Sequence, residues 1–380
     1  MNKCWRPLWR GAVVVLGLLS SPLRAEDLIE VYNRALDGNP EYQSALAAYQ
    51  QALEAKPAAL AKLLPQIGAS GGYDYAQQTI SGRFFVGAAG PGSPGVDTNR
   101  DDSFNSLNYV VGLNQALYHR DLLIGLDESE LMVSRAGLLI YSAQNALRLG
   151  LSQAYFAALA ADDQLRFVSA ERAAVERILE QTRTKAGSGL VADAELKTAQ
   201  AQFDLAEAEL IAAKNAVSVS RTQLELLTGG STPGVLKPLA EDYVAAPPVP
   251  DQIGEWIERA KNGNLLVQAQ QVSTQIARKE LDKASAQRWP TLDASAARTY
   301  SYADGGLSRG IGSDNNHASD NRVGVRLRIP IYSGGAVSAG IRAAQAGVTR
   351  AEADENARRG EALREVQVAF LNTSAGMARI

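Results

Sequence analysis

Four stretches of the chain alternate apolar and polar residues with a period of two. In the first, Ile67, Ala69, Gly71, Tyr73 and Tyr75 share one face, while Gln66, Gly68, Ser70, Gly72 and Asp74 share the other. In the second, Leu107, Tyr109, Val111 and Leu113 stand against Ser106, Asn108, Gly112 and Asn114. The third sets Leu292, Ala294, Ala296, Tyr300 and Tyr302 against Thr291, Asp293, Ser295 and Thr299. The fourth sets Val323, Val325, Leu327, Ile329 and Ile331 against Arg322, Gly324, Arg326 and Arg328. The period predicts strands with one apolar face. Each is about ten residues, the length of a tilted strand that crosses a bilayer. Half-buried strands of a soluble sheet show the same period. Arg298 breaks the scheme, because its parity places it on the apolar face. The Gly-, Ser- and Asp-rich stretches 87–102 and 304–320 read as the two hairpin loops.

Most of the remainder follows the helical period. Short helices are predicted over Glu26–Asp37 and Asp251–Asn262. Longer ones are predicted over Glu41–Leu64, kinked by Pro57, and over Leu265–Trp289, which runs straight. From Arg120 to Ala186 the chain is helix-forming apart from scattered glycines, and 60-odd residues of helix reach roughly 100 Å. After a break at Ala186-Gly187-Ser188-Gly189, residues Leu196, Ala199, Phe203, Ala206, Leu210, Ala213, Val217, Ser220, Leu224 and Leu227 repeat in steps of three and four. That is the seam of a coiled-coil hairpin rather than the broad face of a helix on a globular core.

These elements occur twice. Asn39 and Pro65 match Asn264 and Pro290 at one offset. Leu117-Tyr118 and Tyr155-Phe156 match Ile331-Tyr332 and Ala369-Phe370 at another, shorter by one hairpin loop. Such repetition is the mark of an architecture. The chain therefore divides into an export signal (1–25), a first repeat (26–230; β-hairpin 66–115, helical hairpin 120–228), a Pro- and Gly-rich joint (231–250), and a second repeat (251–380; β-hairpin 291–332, long helix from 336). If the second repeat mirrors the first, about 60 of its residues are missing after Ile380.

The export signal has Lys3, Arg6 and Arg10 before the apolar run Gly11–Leu19, with cleavage expected after Ala25. Cys4 precedes that run, so the mature chain has no thiol, and the two histidines, His119 and His317, are far apart in sequence; no metal or cofactor is expected. A net charge of −3 with scattered basic residues does not suit nucleic acid. No acid, base or nucleophile recurs with catalytic spacing, so no enzyme is expected. No apolar run after the signal is long enough to span a bilayer as a helix, so any membrane crossing falls to the strands. Four strands cannot close a barrel, and an open edge in lipid costs several kcal/mol per unpaired group. Copies must pool strands, giving eight for two chains or twelve for three. A soluble periplasmic coiled-coil scaffold or adaptor would fit the helices and leave the strands unexplained.

From Glu26 onward the chain resembles the TolC family of outer-membrane ducts for efflux and type I secretion. The resemblance is carried by Asn39-Pro40-Glu41, Leu63-Leu64-Pro65, Gln115-Ala116-Leu117-Tyr118, Gly189-Leu190-Val191-Ala192, Leu226-Leu227-Thr228-Gly229, Trp289-Pro290-Thr291-Leu292 and Ile329-Pro330-Ile331-Tyr332-Ser333-Gly334-Gly335, in that order. It implies an α+β membrane protein of the Gram-negative outer membrane. Three protomers would share a 12-stranded barrel, continued into the periplasm by coiled-coil helical hairpins. The partners it implies are a periplasmic adaptor and an inner-membrane ABC or proton-driven transporter. By position, Glu195 matches the acidic residue that the first hairpin contributes to the family's entrance lock, with Asp193 beside it, and such carboxylates also suit any helix N-terminus. Gly187, Gly189, Leu190 and Val191 match the tip presented to the adaptor, and the lock's partners would belong to the second hairpin. Arg322, Arg326 and Arg328 would face the barrel lumen.

Overall fold

The computed structural model describes residues 25–85, 95–230, 234–240, 242–304 and 316–378. The export signal up to residue 24, Pro233 and the two hairpin tips (86–94, 305–315) lie outside the described residues. Backbone contacts divide the chain into one unit of residues 1–44 and 143–245 and a second of 45–142 and 246–380.

In the first unit, helix α1 (Leu28–Gly38) starts in a reciprocal cap. The Asp27 carboxylate accepts from the Glu30 N–H, and the Glu30 carboxylate accepts from the Asp27 N–H. Its apolar stripe buries Val31 and Ala35 against Leu151, Tyr155, Ala158 and Leu224. Asn39 ends α1 and accepts from the Tyr42 N–H at the start of α2 (Pro40–Leu53), while its amide donates to Leu227 O at 3.1 Å. Glu26 pairs with the segment after the hairpin through Glu26 N–H to Val235 O (2.8 Å) and Lys237 N–H to Glu26 O (2.9 Å). The Tyr155 hydroxyl sits within 2.8 Å of Lys237 O and 3.1 Å of Glu26 O. Burial raises its pKa, which keeps it a donor.

Helices α4 (Arg120–Gly187) and α5 (Asp193–Leu227) form the predicted antiparallel hairpin. Every residue of the α5 stripe is buried or half-buried. Its partner is a second stripe on α4 with the same steps: Leu151, Ala154, Ala158, Ala161, Leu165, Val168, Arg172, Val175, Leu179, Thr182 and Ala186, all buried or half-buried. Arg172 holds a seam position because its guanidinium lies 4.9 Å from the Phe203 ring centroid and bonds Glu207 (2.9 Å) and Glu176 (2.6 Å).

The second unit holds one antiparallel sheet in the order β1 (Gln66–Phe85), β2 (Gly95–Tyr118), β3 (Thr291–Ala303) and β4 (Asn316–Arg328). Four helical segments lie side by side in the same order. Lys56 of α3 (Ala55–Ala61) pairs with Glu130 of α4 at 2.8 Å. Lys279 and Lys283 of α7 (Leu265–Ala286) reach Asp127 and Glu128 of α4 at 2.8 and 2.6 Å. Thr274 and Arg278 of α7 reach Glu355 and Glu352 of α8 (Ala336–Met377) at 2.8 and 2.9 Å. Each strand is thus continued by a helix with the same neighbours. Helix α6 (Ile253–Gly263) ends on Asn264, which caps α7 as Asn39 caps α2.

Three details differ from the sequence reading. The helix before β1 breaks at Glu54, three residues ahead of Pro57, because a proline nitrogen cannot donate to the carbonyl four residues back and its ring crowds that carbonyl. Part of each stretch read as loop is strand: 95–102 pairs with 78–85, and 316–320 continues β4. Gly, Ser and Asp there mark exposure to water, and the two arms of a hairpin satisfy each other's backbone without an apolar face. Finally, β4 ends at Arg328, so Ile329 and Ile331 lie past the last paired residue, beside Pro330.

Candidate functional site

The sheet has two unlike faces and no interior. Among the described residues no strand side chain is fully buried. The register aligns Ile67 with Leu113 and Ala296 with Val323, and likewise Tyr73, Leu107 and Tyr302. Ile67 is 74% exposed and Val323 85%, with no protein element packed over them. Such a continuous apolar face needs an apolar solvent. Toward the hairpin end it stops: beyond Tyr75 the same parity reads Gln77, Thr79 and Ser81, paired with Ser103, Asp101 and Asn99, all exposed. Tyr109 and Tyr300 stack below that boundary, 5.0 Å between centroids.

The opposite face is polar. It carries Asn108, Asn114, Ser295 and Thr299, and with them Arg322, Arg326 and Arg328. The three arginines differ in company. Arg322 bonds Asp320 at 3.2 Å. Arg326 is the register partner of Asp293, whose carboxylate lies 2.9 Å from His119 Nε2. Arg328 sits opposite Thr291 and has no ion pair among the described residues. His119 ties the start of α4 to β3, next to a register shift of β2 between Ala116 and Tyr118. Among the described residues the outer edges of β1 and β4 have no partner strand.

At the helical hairpin, α4 ends in a left-handed glycine cap. Leu190 N–H reaches Lys185 O and Gly189 N–H reaches Ala186 O, both at 2.9 Å, with Gly189 at φ +75°. Such caps usually pack the residue after the glycine against the last helical turn. Here that turn offers Lys185, and Leu190 stays 75% exposed. Val191 is half-buried, and Gly187 has open space where a Cβ would stand. Asp193 and Glu195 occupy the first turn of α5, exposed and unpaired among the described residues, behind Ala192, which offers no side-chain cap.

The sequence reading missed a second stripe on α5. Leu205, Ala212, Val219 and Leu226 recur every seven residues on the side away from the seam, and Leu205, Val219 and Leu226 are 63–68% exposed. The signal was present in the spacing but overshadowed by the stronger seam.

A sheet with an apolar face and a polar face, each strand continued by a helix, defines a wall segment of an outer-membrane channel. A soluble scaffold leaves the apolar face without a solvent. The family description "Outer membrane efflux protein" matches residues 31–230 and 256–380. Among curated relatives, outer membrane protein TolC of Vibrio cholerae is 30% identical over 96% of this chain and 78% of its own length. The alkaline protease secretion protein AprF of Pseudomonas aeruginosa is 25% identical over 96% of this chain and 73% of its own. Among solved structures, the CmeC outer membrane channel of Campylobacter jejuni superposes with a TM-score of 0.68 at 15% identity, covering 92% of this chain and 72% of that one. The chain belongs to the outer membrane efflux protein family. It is an export channel of the outer membrane, serving efflux or type I secretion, and not an enzyme.

Proposed function

We propose that three copies close one 12-stranded barrel in lipid, with the polar face as its lumen, and that the helices continue this tube into the periplasm toward an adaptor and an inner-membrane ABC or proton-driven pump. One observation carries the reading: a four-stranded sheet with a lipid face and two unpaired edges. In hydrocarbon each unpaired group costs several kcal/mol, and only a neighbour's strand supplies the missing partners. The relatives, an outer membrane protein and a protease secretion protein, support passage of exported cargo, and in this reading the inner-membrane partner selects that cargo. The export signal, removed after Ala25, delivers the chain.

In this reading the exposed α5 stripe is the seam for a neighbouring helix, and Leu190 with Gly187, Gly189 and Val191 forms the adaptor contact. Asp193 and Glu195 are the acidic side of an entrance lock. Heat-modifiable migration, three-fold cross-linking and single-channel conductance test the assembly. A detergent-free monomer that stays folded in buffer would refute it.

Two variants probe the walls. Leu205→Glu with Val219→Glu sets charges into the proposed seam and should reduce the cross-linked trimer several-fold, leaving the hairpin itself helical by circular dichroism. Arg326→Ala with Arg328→Ala removes two lumenal charges per protomer. The ratio of anion to cation permeability in planar bilayers should fall at least about twofold, since a narrow low-dielectric channel focuses such charges. An unchanged ratio would place these arginines away from the ion path.

A further inference from the structure

Arg298 lies on the lipid face. The register sets it between Val111 and Asn321, one position pair below Tyr300 on the same face. It is the only formal charge on the described part of that face between its inner end and the tyrosines. It is exposed and has no ion pair or hydrogen bond among the described residues. An arginine deep in hydrocarbon on a barrel wall costs roughly 2–4 kcal/mol and near the interface little. Its surroundings say which applies. On β4 the face is apolar from Leu327 to Val323 and then turns to Asn321, Ser319 and His317. Arg298 therefore sits where the apolar band ends on β4, one position pair below the tyrosines to which the band runs on the other strands, on the side away from the helices, where a long side chain reaches up to phosphates of the outer leaflet.

The wall beneath it is shaped. A shallow cleft of about 390 Å³ runs over small residues and is lined by Ile67, Val111, Leu113, Ala296 and Val323, with Arg298 and Asn321 among its lining residues. An apolar trough with a guanidinium and an amide beside it matches a lipid with a phosphorylated headgroup: the chain lies in the trough and the phosphate meets a bidentate donor.

We propose that Arg298 and Asn321 form a binding site for the phosphate of an outer-leaflet glycolipid, lipid A, one per protomer. The proposal rests on the barrel reading, since it needs this face in lipid.

The test uses full-length protein refolded in lipid-free detergent micelles. Binding of lipid A, of lipid A stripped of phosphate, and of phosphatidylglycerol is measured by native mass spectrometry and by the temperature at which the heat-modifiable oligomer dissociates. Wild type should retain lipid A and gain thermal resistance, with about tenfold weaker retention of the dephosphorylated form. Arg298→Gln should lose that preference, Arg298→Lys should keep part of it, and both should conduct like wild type. Equal retention with and without phosphate by wild type would overturn the site without any variant. So would an undiminished preference in Arg298→Gln, while equal retention of phosphatidylglycerol would overturn the assignment to lipid A. Failure of wild type to form any heat-modifiable, conducting species would instead count against the barrel itself.

Discussion

Gly229→Ala should cost about 2–5 kcal/mol and leave little folded protein at physiological temperature. Two independent penalties meet at this residue. It ends α5 in the left-handed region at φ +75°, where Gly230 N–H returns to Glu225 O at 2.9 Å, and a side chain there costs about 1–2 kcal/mol. A Cβ would also stand 2.1 Å from Gly38 O and 2.7 Å from Gly38 Cα. Those are backbone atoms of α1, and overpacking against backbone adds about 1–3 kcal/mol. Gly38→Ala meets the same wall from the other side, 2.3 Å from Thr228 O. The contact holds because neither chain end carries a side chain, which lets Asn39 donate to Leu227 O. Gly150→Ala is the control: with nothing within 4 Å of its Cβ position and a helical setting, it should gain about 0.5–1 kcal/mol. Thermal dissociation of the detergent-solubilised protein reads all three. An unaffected Gly229→Ala would mean that the two helix ends do not touch.

That contact shows what the sequence could and could not convey. Asn39-Pro40-Glu41, which follows Gly38, and Leu226-Leu227-Thr228-Gly229 are both visible as motifs. Nothing local says that they meet, because they lie 188 residues apart in the Asn39–Leu227 hydrogen bond. Local periods were legible. The alternation of Val323, Val325 and Leu327 and the seam from Leu196 to Leu227 depend only on spacing, and the structure follows both. The matching stripe on α4 was obscured by Arg172 and Thr182, which look like interruptions until Phe203 and Glu207 are placed beside the arginine. The upper arms of β1 and β2 were obscured for another reason: composition reports solvent, and a polar hairpin pairs as well as an apolar one. Of the candidate site, the faces of the sheet were readable from parity, and the link between His119 and Asp293 was not, since it joins the two repeats across 174 residues.

Val325→Arg should abolish insertion, whereas Ser295→Lys, its near neighbour on the other face, should be tolerated. Val325 is 66% exposed and pairs with Ala294, flanked on its face by Val323 and Leu327. It lies two face positions deeper than the Arg298–Asn321 pair, too far inside the apolar band for a side chain to escape. The penalty is roughly 2–4 kcal/mol per protomer, and a shared barrel incurs it once for every copy. Ser295 opposes Gly324, on the face that also holds Arg322 and Arg326, so an added ammonium there meets water. The pair of variants tests parity itself. A slip of one residue in register exchanges the faces of a strand, and the two outcomes would then exchange as well. Heat-modifiable migration after reconstitution gives the readout: the loss should fall on Val325→Arg alone, and tolerance of Val325→Arg with loss of Ser295→Lys would turn the barrel inside out.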